Sequence, residues 1–347
     1  MGDYNTNLIY ALHENRLVHV SQVDRGLECG CICPSCAGKL VAKKGNKVMH
    51  HFSHYNGESC QYGYQTSLHL AAKEIIEKTQ RMWVPEVRIR FDSGKPSQIV
   101  REEMEIEITD VRIEKALGDI IPDIIIISGN RTYLVEITVT HSIDDVKLEK
   151  IRRLNMSTLE IDLAKLDRAV TDSVLYDILV GPSSLKKWKY SALEEAMKEK
   201  YLKFCDRYKI IMRGYAAQIE RCPMEQRVWK GLPYANYTDD CTSCEFYISD
   251  YRDNKEADFD NGGILCSGKA RVAELEDFRL SFEERQKKYD AKRRQEIANA
   301  IDSNACPYCG SALKFRSGQF GAFLGCGNYP HCRFTLNIDA ETGEIVR

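Results

Sequence analysis

The sequence lacks the features that would place the protein in a membrane or on a secretory route. No apolar run approaches the roughly 20 residues that cross a bilayer as a helix. The opening MGDYNTNLIY has no basic segment followed by an apolar one, so we expect a cytoplasmic protein. A strong charge of one sign is also missing, since the formal net charge is −2. Any surface for nucleic acid must therefore be a local patch.

Cysteine, in contrast, is abundant. The chain has 14 cysteines among 347 residues, and in a reducing compartment such thiols bind metals more often than they form disulfides. The length predicts two or more domains, with at least one complete hydrophobic core.

The most informative stretch is GDIIPDIIIISGNRTYLVEITVTHSIDDVKLEK, residues 118–150. It predicts two apolar strands, 121–128 and 131–140, joined by a Gly-Asn dipeptide that is typical of tight hairpins. A two-residue loop places Asp123 opposite Glu136. Opposed Cβ atoms in a sheet lie about 4.5–5.5 Å apart. The two carboxylates could therefore share one divalent cation, Mg²⁺ or Mn²⁺.

This stretch also resembles a known signature. The spacing of PD at 122–123 and EIT at 136–138 is similar to that of PD-(D/E)xK nucleases. Thr138 stands where those enzymes usually have a lysine, and either Lys147 or Lys150 on the following helix could replace it. In the alternative interpretation one acid caps a strand and the other pairs with an arginine, without any metal.

The first cysteine group lies in CGCICPSCAGKLVAKKGNKVMHHFSHYNGESC. Zinc takes four nitrogen or sulfur donors in a tetrahedron. Five residues compete for the four places, with two earlier cysteines as spares: Cys33, Cys36, His51, His54 and Cys60. We favour the CxxC pair and His54 as three of the ligands. Buried thiols and surface histidines without a metal are the alternative.

The second cysteine group has a single CxxC knuckle and two distant cysteines. The segment around it has few apolar anchors, and small segments of this kind usually need a metal or a disulfide to fold. We predict a structural zinc site, because four thiolates leave no open position for a substrate. Its ligands are Cys222, Cys241, Cys244 and Cys266.

The third group lies in CPYCGSALKFRSGQFGAFLGCGNYPHCRFT, which resembles the C-terminal zinc ribbon of type IA DNA topoisomerases. Its structural zinc ligands are Cys306, Cys309, Cys326 and Cys332. Aromatic rings can stack on unpaired bases while cations contact phosphates. This predicts a DNA-binding set: Lys314, Arg316, Phe320, Tyr329 and Arg333. The alternative is that the aromatic residues form the ribbon's own core, and Phe323 is the member we expect there.

The order of predicted elements indicates the fold class. A helix over 66–80 is followed by strand-like segments at 83–92 and 104–113 and then by the hairpin. A helix over 143–154 and a strand over 158–163 complete the order. We therefore predict an α/β protein with the αβββαβ core of restriction-endonuclease-like folds.

Residues 29–163 resemble the competence protein CoiA-like nuclease family. The matching pieces, in order, are CPSC, KKG, HHFSH, SLHLAAK, PD, EIT, THSIDDVKLEKI and LEIDL. The resemblance implies a metal-dependent DNA nuclease with a zinc-binding N-terminal piece. It also implies that His69 and Lys73, four residues apart on one helix face, belong to the site. The full catalytic set is then His69, Lys73, Asp123, Glu136, Thr138 and Lys147.

We predict six segments. They are an N-terminal zinc-binding segment (1–62), a nuclease-like core (63–180), a helical spacer (181–221), a central zinc module with four cysteine ligands (222–270), a charged linker helix (271–303) and a zinc ribbon (304–347).

The predicted function is phosphodiester hydrolysis in DNA that is single-stranded or has single-stranded segments, with up to three structural zinc ions and partner proteins of a DNA-processing or defence pathway. The alternatives are a catalytically inactive CoiA-like DNA-binding or loading factor and a zinc-scaffolded protein-interaction module.

Overall fold

The computed structural model describes residues 8–47, 49–57, 60, 62–91, 97–140, 142–164, 166, 170–229, 231–252, 262–319, 321–332 and 334–338. The chain divides into two compact units: Met1–Arg88 with Ile99–Ala196, and Ile89–Gln98 with Met197–Arg347. The chain contains both helices and strands, so the predicted class is confirmed as far as a mixed α and β composition. Within the described ranges, no helix is long and apolar enough to cross a bilayer.

The first unit begins with two short hairpins, β1 (Tyr10–His13) with β2 (Arg16–His19), and β3 (Leu40–Lys43) with β4 (His51–His54). Short 3₁₀ turns at Val20–Gln22 and Leu27–Cys29 lie between them. The hairpins enclose a small core that includes Phe52 and the two cysteines predicted as spare ligands, Cys29 and Cys31. Both thiols therefore have a core position.

One long helix and a series of short strands follow. These elements are α1 (Gly63–Lys78), β5 (Arg81–Val84), β6 (Val87–Ile89), β7 (Gln98–Arg101), β8 (Met104–Glu107) and β9 (Asp110–Ile113). The helix begins at Gly63, earlier than the predicted start at 66. The predicted strand 83–92 is broken between β5 and β6, where Pro85 has no N–H to donate to a strand ladder.

The rest of this unit forms around the predicted hairpin. Its elements are β10 (Ile124–Ser128), β11 (Arg131–Thr138), α2 (Asp145–Leu154), β12 (Thr158–Asp162), α3 (Asp172–Val180), β13 (Lys186–Tyr190) and α4 (Ala192–Leu202). Ser128 pairs with Arg131 and Ile124 with Val135, which confirms the predicted hairpin register. The turn begins at Gly129 with φ of +58°, a conformation that suits glycine.

The five-stranded sheet has the order β13-β12-β11-β10-β9. Strand β12 runs parallel to β11, and the other neighbours are antiparallel. Val135, Ile137 and Ile161 project from one face into the main core, to which α1 and α3 also contribute. On the other face, Leu134 packs with Ile151 of α2. Side chains alternate along a strand, so residues 136 and 138 project from the α2 face.

The second unit contains a six-stranded sheet, a long helix and a three-stranded sheet. The elements are β14 (Asp206–Arg213), β15 (Ala216–Glu220), β16 (Arg227–Trp229), β17 (Leu232–Asn236), β18 (Tyr247–Arg252), β19 (Gly262–Cys266), α5 (Phe282–Asp302), β20 (Leu313–Gly318), β21 (Gly321–Cys326) and β22 (Thr335–Ile338). The sheet orders are β16-β17-β15-β14-β19-β18 and β20-β21-β22. A π-helical turn lies at Tyr237–Cys241, with 3₁₀ turns at Gly268–Ala270 and Leu275–Arg279.

The prediction of a helical spacer over 181–221 is wrong for much of its length. Strand β13 belongs to the five-stranded sheet, and β14 and β15 form an antiparallel hairpin in which Arg213 pairs with Ala216. Gly214 has φ of +65° and begins the turn. The linker predicted as helical over 271–303 becomes an α-helix only from Phe282, because the preceding residues form 3₁₀ turns.

Candidate functional site

Asp123 lies one residue before β10, where α1 passes the sheet. One carboxylate oxygen, Oδ2, lies 2.9 Å from Nε2 of His69 and accepts the backbone N–H of Ile137 at 2.8 Å. The other, Oδ1, lies 3.1 Å from Nζ of Lys73. Burial alone would raise the pKa of Asp123, but these partners outweigh burial and lower the pKa to about 2. The carboxylate is therefore ionised at neutral pH.

Lys73 is held between two acids. Its side chain is buried, and Nζ donates to Oε1 of Glu114 at 2.6 Å in addition to its contact with Asp123. Lys73 thus connects α1 both to Glu114, which follows β9, and to Asp123, which precedes β10. The structure brings together the predicted residues His69, Lys73 and Asp123.

Glu136 is the second predicted acid, and it projects from β11 on the α2 face. Its Oε2 accepts a hydrogen bond from Nζ of Lys147 at 2.7 Å, and Lys147 also donates to the carbonyl of Ile121 at 3.2 Å. Burial, together with the charge of Asp123, raises the pKa of Glu136 in spite of Lys147. Its other oxygen, Oε1, is buried and has no hydrogen-bond partner of good geometry among the described residues, although the backbone N–H of Asp123 also acts on this carboxylate and lowers its pKa.

A buried carboxylate oxygen without a donor is unusual in a folded protein. Mg²⁺ takes one or two carboxylates and fills its other positions with water or phosphate oxygen. The ionised Asp123 and the unpaired oxygen of Glu136 therefore fit a divalent cation chemically. Lys147 now neutralises part of the charge that such a cation would neutralise.

Thr138, where a lysine is usual, points at an acid that sequence reasoning missed. Its hydroxyl donates to Oε1 of Glu160 at 2.9 Å, and Glu160 is paired with Glu136 across the parallel strands β11 and β12. The other oxygen of Glu160 lies 2.9 Å from Nζ of Lys189 on β13. The acid inside the apolar run LEIDL was the available signal for Glu160; Lys189 had none.

The N-terminal metal ligands form one tetrad: Cys33, Cys36, His54 and Cys60 have their donor atoms within 4.8 Å of one another. Strand residues 51 and 54 face opposite sides of β4 because side chains alternate. His54 therefore reaches the knuckle, with Nε2 3.2 Å from Sγ of Cys36. His51 stays outside this tetrad and places Nδ1 2.8 Å from the carbonyl of Met49. Its proposed ligand role is not supported.

The C-terminal ligands form a second tetrad of four sulfur atoms within 4.8 Å: Cys306, Cys309, Cys326 and Cys332. The separations include 3.7 Å for Cys306 to Cys332 and 3.2 Å for Cys309 to Cys326. Tetrahedral zinc with bonds of about 2.3 Å holds its sulfurs about 3.8 Å apart. Both tetrads therefore have the donor chemistry and spacing of closed structural zinc sites.

The four central cysteines are gathered less tightly. They line one cavity of about 20 Å³ in the core of the second unit, and burial raises the pKa of every one of these thiols. However, among the described residues no three of these sulfur atoms lie within 4.8 Å of one another. The ligands concerned are Cys222, Cys241, Cys244 and Cys266.

The ribbon sheet presents cations and an aromatic ring on one face. Arg316 on β20 pairs with Phe323 on β21, so both side chains lie on the same side as Lys314. Phe323 is therefore not the core residue we expected. The core instead consists of the zinc-site cysteines and Leu313, with Leu324 among the side chains packed against it.

Of the remaining DNA-binding predictions, only one lies within the described residues. Tyr329 is 59% exposed, and the Arg316 guanidinium carbon lies 5.9 Å from the centroid of its ring. Phe320 and Arg333 fall outside the described residues.

Two family models match the chain. Residues 19–63 match the N-terminal domain of competence protein CoiA, and residues 303–341 match the topoisomerase DNA binding C4 zinc finger. The first match contains the N-terminal tetrad and ends as α1 begins. The second contains the C-terminal tetrad. No solved structure matches the chain.

The curated relatives match over short stretches. DNA topoisomerase 1 of Methanothermobacter thermautotrophicus is 44% identical over 48 residues, 14% of this chain and 6% of that protein. DNA topoisomerase 1 of Methanocaldococcus jannaschii is 60% identical over 45 residues, 13% and 6% of the two chains. Uncharacterized protein YrdD of Escherichia coli is 46% identical over 47 residues, 13% and 26%. The chain thus spans a small part of each, and it combines a segment similar to the CoiA N-terminal domain with a topoisomerase-type C4 zinc ribbon.

Proposed function

We propose that the protein is a metal-dependent DNA endonuclease whose zinc ribbon binds single-stranded DNA. The observation that carries this proposal is the pair formed by Asp123 and Glu136. One of these acids is ionised, and the other has a buried oxygen without a donor among the described residues. An ionised acid beside a buried carboxylate oxygen that lacks a donor is suited to a divalent cation.

The topology around the two acids supports the same proposal. In the chain, helix α1 is followed first by the short strands β5 to β8 and then by the antiparallel strands β9, β10 and β11, helix α2 and strand β12, which runs parallel to β11. Apart from the four strands between α1 and β9, this order is similar to the αβββαβ core of restriction-endonuclease-like folds, and β13 adds one strand to it. We assign the core to this part of the first unit.

The chain's own residues prepare the site for hydrolysis. His69 and Lys73 keep Asp123 ionised and oriented, and Lys147 holds Glu136 toward the same region. When bound there, Mg²⁺ or Mn²⁺ supplies Lewis-acid chemistry that polarises the phosphate and lowers the pKa of a water. In the reaction the water oxygen bonds to phosphorus and the bond from phosphorus to one sugar oxygen breaks. One proton passes to the departing oxygen, and the other remains on the new phosphomonoester or passes to solvent.

The ribbon supports the choice of DNA as the substrate. The matching family is described as a DNA-binding C4 zinc finger, and the ribbon face carries Lys314, Arg316 and Phe323. The aromatic ring can stack on an unpaired base while the neighbouring cations contact its phosphates. The near-neutral chain makes such a local patch necessary for binding.

The test is cleavage of single-stranded, duplex and flapped DNA with Mg²⁺, Mn²⁺ or EDTA. We expect metal-dependent cleavage by the wild-type protein and none by Asp123→Asn or Glu136→Gln. Asp119→Asn is the matched control, because Asp119 is an exposed acid beside the site that pairs with Lys150. DNA affinity in EDTA should be unchanged or higher in the two site variants, since each removes a charge that repels phosphate.

A second candidate function rests on Thr138, which leaves the usual lysine position without a charge. In that case the protein is a catalytically inactive DNA-binding or loading factor. Wild-type protein that binds DNA and cuts none of the substrates with either metal would favour this candidate and contradict the nuclease.

A further inference from the structure

The lysine missing at position 138 has a substitute on a different strand. Glu160 of β12 is paired with Glu136 of β11, and its Oε1 accepts the hydroxyl of Thr138 at 2.9 Å. A carboxylate therefore lies beside both the metal-site acid and the position that lacks a lysine. The group that this carboxylate binds determines which charge is available there.

Glu160 is occupied on both oxygens. Oε1 also accepts the hydroxyl of Ser142 at 2.6 Å, and Oε2 lies 2.9 Å from Nζ of Lys189. Burial would raise the pKa of Glu160, but these hydrogen bonds, led by that from Ser142, outweigh burial and lower it. An ionised carboxylate that accepts hydrogen bonds on both oxygens is a good anchor for a cation.

The ammonium group of Lys189 is held by two contacts and keeps one donor for a further acceptor. Its ammonium group donates to Ser142 Oγ at 2.6 Å and pairs with Glu160, while 30% of its side chain stays exposed. An ammonium group has three donors, and the contacts with described residues use two of them. The third remains for an acceptor that approaches from solvent, such as a phosphate oxygen.

The other two lysines near the acids are less suited to this role. Nζ of Lys147 is 2.7 Å from Glu136, so it competes with a cation for that carboxylate. Lys73 is buried between Asp123 and Glu114. Of these three lysines, Lys189 alone pairs with neither of the two acids proposed to hold the metal.

We propose that Lys189 is a catalytic residue that supplies the positive charge absent at position 138. On this assignment its ammonium group contacts the scissile phosphate and stabilises the negative charge that develops during hydrolysis. Glu160 is the positioning residue, and Thr138 and Ser142 fix the carboxylate that holds it. The inference rests on the proposed nuclease function and identifies its missing cation.

The test compares Lys189→Met with Lys187→Met in DNA cleavage by the full-length protein. Lys187 lies two residues earlier on the same strand, is exposed, and has no ion pair with a described residue. By analogy with loss of one preorganised donor, cleavage should fall at least about 100-fold in Lys189→Met and at most about threefold in Lys187→Met. A general loss of positive charge would instead affect both variants alike.

Introducing a lysine at position 138 tests for a catalytic role, because it should restore cleavage only if Lys189 supplies a charge and not if Lys189 is merely structural. Thr138→Lys in the Lys189→Met background should regain at least about a tenth of the lost activity. If Lys189→Met unfolds, the double variant Glu160→Gln with Lys189→Met removes both charges. Removing both destabilises the fold less than leaving the Glu160 carboxylate buried and unpaired. That double variant should fold and remain inactive.

The outcomes separate the two proposals. Cleavage by Lys189→Met at the wild-type rate, with Asp123→Asn inactive, would overturn the role of Lys189 and leave the nuclease standing. Absence of rescue by Thr138→Lys in a folded protein would also overturn it. A wild-type protein that cuts no DNA would overturn the nuclease and this inference with it.

Discussion

Glu136 and Glu160 face each other across the parallel strands β11 and β12, yet only one of them is satisfied. Glu160 has partners on both oxygens, and Glu136 keeps a buried oxygen without a donor among the described residues. Buried polar groups are normally paired, so the difference separates two roles. Glu136 pairs with Lys147 through one oxygen and keeps the other without a donor, whereas Glu160 uses both oxygens within the chain.

Lys73→Met should destabilise the first unit strongly. The substitution leaves the largely buried Asp123 without its lysine and the exposed Glu114 without its partner, and loss of one member of a buried pair costs at most about 3–5 kcal/mol. Lys78→Met is the control, because Lys78 lies on the same helix and pairs with Glu74 at the exposed surface. That change should cost less than about 0.5 kcal/mol. Denaturant unfolding of both variants measures the difference, and equal costs would contradict a buried anchor.

Lys186 should make stability depend on pH. It is 3% exposed, and its ammonium group donates to the carbonyls of Trp83 and Gly181 at 2.9 and 2.8 Å. Burial lowers the pKa of Lys186 from 10.5 to about 7. Between these values the unfolded chain keeps a proton that the folded chain releases, so the free energy of unfolding rises with pH, by roughly 3–5 kcal/mol at most.

The comparison that checks this dependence is Lys186→Met. The variant has no group to titrate at this position, so its stability relative to wild type should fall steadily from pH 7 to pH 10. Urea unfolding at several pH values gives the two curves. Parallel curves over this range would contradict the lowered pKa.

Purified protein should carry about three zinc ions per chain, one for each cysteine group. The two tetrads have ligand spacing already, and the central thiols need only close around the cavity that they line. Each of Cys33→Ser, Cys306→Ser and Cys241→Ser should lose one zinc ion without affecting the others. Metal analysis that gives two ions for both wild type and Cys241→Ser would remove the central site.

The ribbon should bind single-stranded DNA through the face that carries Phe323. Phe323→Ala should weaken binding about tenfold, since stacking on one base is worth about 1–3 kcal/mol. Phe315 is the matched control because it is 66% exposed and projects from the opposite face of the sheet. Fluorescence anisotropy with a labelled oligonucleotide measures both. Equal losses, or none, would contradict this face as the binding surface.

The sequence by itself determined the local geometry of this protein. A Gly-Asn dipeptide between β-branched runs was sufficient for the hairpin register, in which Ile124 pairs with Val135 and Ser128 with Arg131. Cysteine spacing was sufficient for the ribbon tetrad. The hairpin turn and the ribbon ligands each depend on residues that lie close together in the sequence. Both features can therefore be predicted from the sequence alone.

Local pattern failed where a residue's role depends on distant partners. Helix-forming residues over 191–220 predicted a spacer, but Gly214 starts a hairpin and β14 pairs with β19. Spacing favoured His54 as a ligand but kept His51 as a competitor for the remaining place. The alternation of β4 against β3 distinguished them, because only one of its faces meets the CxxC knuckle.

The lysine beside position 138 was decided by tertiary structure alone. Lys189 reaches Glu160 because β12 lies between β11 and β13, parallel to the first and antiparallel to the second. The pairing is selected by burial of the apolar faces of all three strands, in which Val135 and Ile161 take part. No motif connects Thr138 to Lys189 in sequence, and only packing brings both side chains to the carboxylate of Glu160.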